Sequence, residues 1–272
     1  MHKYLLLLRH MNNLKLITNH QKLAFCLVSV SPIRKDASDS SEIVSQLLFG
    51  EPIEIILFGE PWVKIQTILD GYEGYVDIKH LLPLTQKEFR KWLDEYTLQI
   101  EFTKTISTPW GDQLTSKGSF ISNEKSFNIG AFIFSYSIPK IEKSISFIEQ
   151  AKVFLNVPYL WGGKSVFGID CSGYTQLIFR IFGFNLPRDA HQQAEIGETI
   201  DFIDTKPGDL AYFVNSKGKI IHVGIVIDNS QIIHASGRVR IDELTQNGIY
   251  NMDYQKETHQ LHVIKRVLNE IH

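Results

Sequence analysis

Residues 157–184 read VPYLWGGKSVFGIDCSGYTQLIFRIFGF, and this stretch decides the fold of the C-terminal half. A glycine-rich aromatic loop runs into Asp170-Cys171-Ser172-Gly173. Apolar residues then recur at Tyr174, Leu177, Ile178, Ile181 and Phe182. That is helical spacing, and it puts Cys171 at or near the first turn of a buried helix. Unpaired N–H groups and the positive end of the helix dipole stabilise a thiolate there. The position predicts a thiol pKa below that of a free cysteine. A cysteine packing as a small core hydrophobe fits the same stretch. The choice between the two rests on what lies downstream.

Beyond the helix, Gly183 is a stop signal. Leu186-Pro187-Arg188-Asp189-Ala190 leads into a short polar segment, and Lys206-Pro207-Gly208-Asp209 is a turn. Residues 210–214, 220–228 and 231–235 read as strands, and 261–267 as a closing strand. Upstream, residues 141–155 carry apolar side chains at 141, 145, 148, 151, 154 and 155, an amphipathic helix that opens this domain. Helices followed by an antiparallel sheet make an α+β layout over residues 141–272.

Two histidines lie in the predicted strands, His222 in HVGIVID and His234 in IIHASG. Asp228-Asn229-Ser230 between them is turn chemistry. A three-residue loop sets His234 opposite Gly224 and diagonal to His222 on one face; a two-residue loop sets the rings on opposite faces. On one face with the thiol, they form a nucleophilic set. Cys171 supplies the thiolate, His222 pairs with it and protonates the leaving amine, and His234 fixes the tautomer. A zinc site built from Cys171, His222 and His234 is the competing chemistry, and two satisfied sheet histidines are the inert one.

The N-terminal half has a different rhythm. Residues 23–84 are short apolar runs separated by turn chemistry: Gly50-Glu51-Pro52, then Asp70-Gly71 before Gly74-Tyr75-Val76-Asp77. That spacing predicts a small β-barrel over residues 21–84. Residues 83–96 read as a helix-like connection. Residues 105–139 return to β structure, with turns at Pro109-Trp110-Gly111-Asp112 and Lys117-Gly118, so 85–140 is read as a linker and a second, degenerate barrel. Residues 1–20 are an extension, with Met11 an alternative start.

Composition narrows the function. The chain has 272 residues, 43% of them hydrophobic, and a formal net charge of −2, which points away from nucleic acid and anionic membranes. The 2 cysteines are no disulfide framework, and a reducing compartment fits them better. Leu5-Leu6-Leu7-Leu8 is too short for a signal peptide or a membrane span. Leu23-Ala24-Phe25-Cys26 departs from a lipoprotein box at the bulky Phe25. The expected location is the cytoplasm. No cofactor is expected, and the oligomeric state is left open.

PYLWGG…DCSG, LPRDA, KPGDL, HVGIVID and IIHAS, in this order over residues 144–267, resemble the NlpC family of papain-like cell-wall cysteine peptidases. LLFGEPIEII, WVKIQT and DGYEGYVD resemble a bacterial SH3-like domain. Together they resemble the subgroup that cleaves the γ-D-glutamyl–L-diamino acid bond of free murein peptides, the dipeptidyl-peptidase VI type. The resemblance implies Cys171 as nucleophile, His222 as base and His234 as orienting residue. It implies Tyr159 beside the oxyanion, with Asp170 and Arg188 among the substrate-side residues. Asp189, with Glu73 and Tyr72 from the first barrel, would bind the free amine of an N-terminal L-alanine. Ala190 stands where the family usually has serine, which removes one hydroxyl. A peptidoglycan-binding protein without activity, and an amidase or acyltransferase on the same scaffold, are the alternatives.

Overall fold

The computed structural model describes residues 17–18, 20–137, 146–228 and 230–268. The chain divides into two compact units, Met1–Ile141 and Glu142–His272. The first part of the predicted helix over 141–155, the extension before residue 17 and Asn229 of the predicted turn lie outside the described residues.

In the first unit, seven strands form one antiparallel sheet in the order β3-β2-β6-β5-β4-β1-β7. They are β1 (Leu23–Cys26), β2 (Val30–Arg34), β3 (Ile43–Leu48), β4 (Pro52–Leu57), β5 (Trp62–Thr67), β6 (Glu73–Asp77) and β7 (Leu81–Leu84). β5 alternates strictly, burying Val63, Ile65 and Thr67, as a strand with one core face must. The β5–β6 turn uses Gly71 at φ +66°, a conformation that favours glycine. Cys26 is fully buried in this core, and it and Cys171 are free thiols.

Residues 83–96, read as a connection, contain a true helix, α1 (Gln86–Glu95). Thr85 and Glu88 close a reciprocal capping box at its start, and the Trp92 indole N–H donates to the Gly50 carbonyl at 2.8 Å. β8 (Thr97–Leu98), β9 (Thr103–Thr108), β10 (Gly111–Ser116), β11 (Phe120–Ile121), β12 (Ser126–Ile129) and β13 (Phe132–Ser135) follow. Four of them form a sheet in the order β10-β9-β13-β12, and β8 pairs with β11. One aromatic core joins Phe25, Phe49 and Trp92 to Phe120, Phe127 and Phe134.

The second unit is mixed helix and strand, as expected. It comprises α2 (Phe147–Lys152), the short hairpin β14 (Lys164–Ser165) and β15 (Gly168–Ile169), α3 (Cys171–Ile181) and α4 (Ala190–Gln193). The strands β16 (Glu198–Ile200), β17 (Leu210–Val214), β18 (Ile220–Asp228), β19 (Gln231–Ser236), β20 (Arg238–Leu244), β21 (Gly248–Asn251) and β22 (Lys256–Arg266) complete it. Their order is β16-β22-β17-β18-β19-β20-β21, and β21 also pairs with β22, so six strands close into a barrel. α3 lies against β18 and β19. Its residues from Cys171 to Arg180 are all buried, so it is a core helix rather than one with a solvent face.

Candidate active site

Cys171 is the first residue of α3. Asp170, its N-cap, accepts from the Gly173 N–H at 2.7 Å through Oδ1 and from the Gly162 N–H at 2.9 Å through Oδ2. One carboxylate therefore fixes both the glycine-rich loop and the helix start. Arg188, which is 2% exposed, grips it from behind, with Nη1 3.0 Å from Oδ1 and Nη2 2.6 Å from Oδ2. Its Nη1 also donates to Ser172 Oγ at 2.9 Å. The fork is bidentate and sealed from solvent, the geometry in which an Arg–carboxylate pair is strongest. Gly173 has no room for a side chain: a Cβ there would lie 2.2 Å from the Gly163 carbonyl oxygen.

The sulfur accepts from the backbone N–H groups of Ser172 and Val223, so it rests against β18 one residue from His222. The expected low thiol pKa is not what the site gives. Burial pushes Cys171 up to about 12 and the Asp170 carboxylate adds to this, outweighing the two N–H groups and Arg188. At rest this is a thiol. It ionises only by giving its proton to a neighbour.

The two histidines come from the sheet. Gly224 stands directly opposite His234 across the β18–β19 ladder; Asp228 pairs with Gln231, and a bulge between Val226 and Asp228 gives the register expected of the longer loop. His222, Gly224, His234 and Asp242 share the face that carries Val226, Ile232 and Leu244. The missing side chain at Gly224 lets the rings meet: His222 Nε2 lies 2.8 Å from His234 Nδ1, with the rings nearly perpendicular at 83°. His222 Nδ1 is the nitrogen that His234 does not engage. Burial, and then the neighbouring His234 and His259, hold His222 well below the ordinary histidine range, so it is a neutral base. Burial also lowers His234, against the upward pull of Asp242.

Two side chains absent from the sequence reading complete the cluster. Asp242 on β20 accepts from His234 Nε2 at 3.0 Å and from Arg240 at 2.7 Å. His259 on β22 stacks on His222, with centroids 4.3 Å apart and planes at 30°. Burial and the nearby His234 push His259 down to about 4. The signal for β20 and β21 was the Asn247-Gly248 turn between two apolar runs. Nothing local marks His259, which only closure of the barrel brings to His222.

Tyr159 is half-buried. Its phenol is raised above the usual range first by burial, then by the charge of Cys171, which sets it in the electrostatic reach of the sulfur. Asp189 caps the short α4 without a side-chain hydrogen bond. Tyr72 and Glu73 belong to the first unit, where Glu73 pairs with Lys64 at 2.6 Å. Among the described residues no set of three or more His, Cys, Asp or Glu side chains is arranged to hold a metal ion. None of the described helices is long and apolar enough to cross a membrane.

A nucleophile under two backbone N–H groups, a neutral imidazole and a second imidazole that orients it can perform acyl transfer through a thioester. The NlpC/P60 family model matches residues 156–260, and the bacterial dipeptidyl-peptidase SH3 domain model matches residues 33–81. The γ-D-glutamyl-L-lysine dipeptidyl-peptidase of Bacillus subtilis is 28% identical over 228 residues, covering 71% of this chain and 72% of that protein. The probable endopeptidase NlpC of Escherichia coli is 38% identical over 104 residues, covering 38% of this chain and 68% of the relative. A crystal structure of an NlpC/P60 family protein from Bacillus cereus shares the fold, with a TM-score of 0.74 over 90% of this chain and 99% of that one, at 22% identity.

Proposed function

This chain belongs to the NlpC/P60 family of cysteine peptidases and carries a bacterial dipeptidyl-peptidase SH3 segment ahead of the peptidase domain, and from that premise we propose that it hydrolyses the γ-D-glutamyl–L-diamino acid bond of murein peptides with a free N-terminal L-alanine. The observation that carries the chemistry is the 2.8 Å bond from His222 Nε2 to His234 Nδ1 beside a thiol held by the Val223 N–H. The substrate class is supported by similarity to the B. subtilis dipeptidyl-peptidase over 71% of this chain.

Cys171 Sγ attacks the γ-carbonyl of D-glutamate as its proton passes to His222 Nδ1. The thiol is too buried to ionise alone, so transfer and attack are coupled. The oxyanion forms near the first-turn N–H of Cys171, which has no intrahelical acceptor, and Tyr159 flanks it. His222 then returns the proton to the departing amine of the diamino acid. Water, activated by the same imidazole, releases L-alanyl-D-glutamate from the thioester. Asp170 and Arg188 act by holding the loop and the helix start that carry the sulfur. Asp189 is the carboxylate of the peptidase domain assigned to the substrate ammonium group. This specificity suits free peptides in the cytoplasm during wall recycling rather than cross-linked wall.

Mass spectrometry of L-Ala-γ-D-Glu-L-Lys, its meso-diaminopimelate counterpart and their N-acetylated forms tests the reading. The free tripeptides are expected to yield L-Ala-D-Glu and the acetylated ones to resist. Cys171→Ala is expected to be inactive and Cys26→Ala active. Turnover by Cys171→Ala, or equal cleavage of free and acetylated peptide, overturns it.

A further inference from the structure

We infer that Asp242, on the strand beyond His234, is a positioning residue that sets which nitrogen of His222 is left to receive the thiol proton. The inference rests on Cys171 and His222 being nucleophile and base, and it concerns a residue that touches neither.

The Asp242 side chain is fully buried, and both oxygens are committed, Oδ2 to His234 Nε2 at 3.0 Å and Oδ1 to Arg240 Nη2 at 2.7 Å. Arg240 is held in turn by Asp253 at 2.6 Å. A guanidinium has only donors, so Asp242 Oδ1 must accept. Burial pushes the Asp242 carboxyl up, but the bonds from His234 and Arg240 outweigh it, and the group stays ionised. An ionised carboxylate accepts only, so His234 Nε2 carries a hydrogen. Neutral His234 then has a bare Nδ1, and that atom faces His222 Nε2 at 2.8 Å. His222 must therefore donate through Nε2, and its one remaining nitrogen, Nδ1, is bare. The charged or titratable groups facing the pair are Asp242 and Arg240 on β20, His259 on β22 and Cys171 on α3. His259 is held neutral and does not compete for the proton.

Asp242→Asn reverses the chain. Arg240 can only donate, so the new amide turns its oxygen to Arg240 and its NH2 to His234. His234 Nε2 then accepts, its proton moves to Nδ1, and His222 is left protonated at Nδ1, where the thiol needs a base. Inverting a histidine tautomer in this way costs up to about 10⁴-fold in turnover.

The test uses the full-length protein labelled with 15N-histidine. Long-range 1H–15N correlation spectra are expected to show the Nε2–H tautomer at His222 and His234 in the wild type, and Nδ1–H at both in Asp242→Asn. Alkylation of Cys171 by iodoacetamide near neutral pH, followed by mass spectrometry, is expected to slow by ~10²- to 10⁴-fold in the variant. Tripeptide kcat should fall in parallel while KM changes little. A wild-type spectrum with His234 protonated at Nδ1 overturns the inference even if the variant does not fold. So does a folded Asp242→Asn protein with wild-type tautomers and alkylation rate. Expected alkylation and tautomers without tripeptide cleavage would sink the substrate reading and leave the Asp242 inference standing.

Discussion

Gly224→Ala is the smallest change that separates the two histidines. A Cβ at this position would lie 2.8 Å from His234 Cβ, 2.7 Å from Ile232 Cδ1 and 2.8 Å from Ile232 Cγ1. Ordinary carbon–carbon contact begins near 3.5 Å, so the neighbours must yield by roughly 0.7 Å. Ile232 Cδ1 is the end of a flexible chain and can rotate away. His234 Cβ is fixed to the β19 backbone, and its ring is held at the far side by Asp242. Carried to the ring, that shift stretches the 2.8 Å nitrogen–nitrogen contact to about 3.5 Å, the outer limit of a hydrogen bond. Misplacement on this scale costs about 10²-fold in rate, and the overpacking costs about 1–3 kcal/mol of stability. Both are measurable, as alkylation rate of Cys171 and as a urea midpoint. A Gly224→Ala protein that folds and alkylates within about twofold of wild type would refute the claim that the absent side chain is what lets the rings meet.

Two further outcomes follow from burial. Arg188→Met should leave the Asp170 carboxylate buried without its cation, at a cost of about 3–5 kcal/mol; hydrogen exchange should quicken at the Gly162 and Gly173 amides, and unchanged exchange there would refute the anchoring role. His259 is held down to about 4, below the 6.5 of an unfolded histidine. Below pH 6.5 the unfolded chain binds a proton that the folded site refuses, so this group costs stability as pH falls from 6.5 towards 4 and contributes nothing above that window. His259→Gln should flatten that part of the acid-unfolding curve, and an unaltered slope would remove His259 from the account.

The helix at Cys171, the strands carrying His222 and His234, and the SH3-like segment are legible in the sequence because each has a local signature. Apolar periodicity marks α3, and Asp70-Gly71 marks the β5–β6 turn. The Thr85…Glu88 capping box is equally local, and it makes the helix-like spacing of residues 83–96 a capped helix, α1, and not only a connection. Other parts were not local. Asp242 gains meaning only when β20 pairs with β19, and His259 only when β22 closes against β21. The thiol pKa is likewise not a local property. A helix N-terminus can be read from pattern, but desolvation depends on everything packed around the sulfur.

Closure of the six strands has a further effect on how the site tolerates change. In an open sheet each hairpin keeps its own register, and a one-residue slip turns every side chain to the opposite face. In a ring the offsets of all the ladders must sum to a fixed shear. A slip between β18 and β19 would have to be undone by an opposite slip elsewhere around the circle, against the β20–β21 and β21–β22 ladders. The facing of His222 and His234 is thus guarded by strands that carry neither residue. Insertions at the exposed Gln246-Asn247 tip should be absorbed, whereas loss of β21 would free the ring to drift.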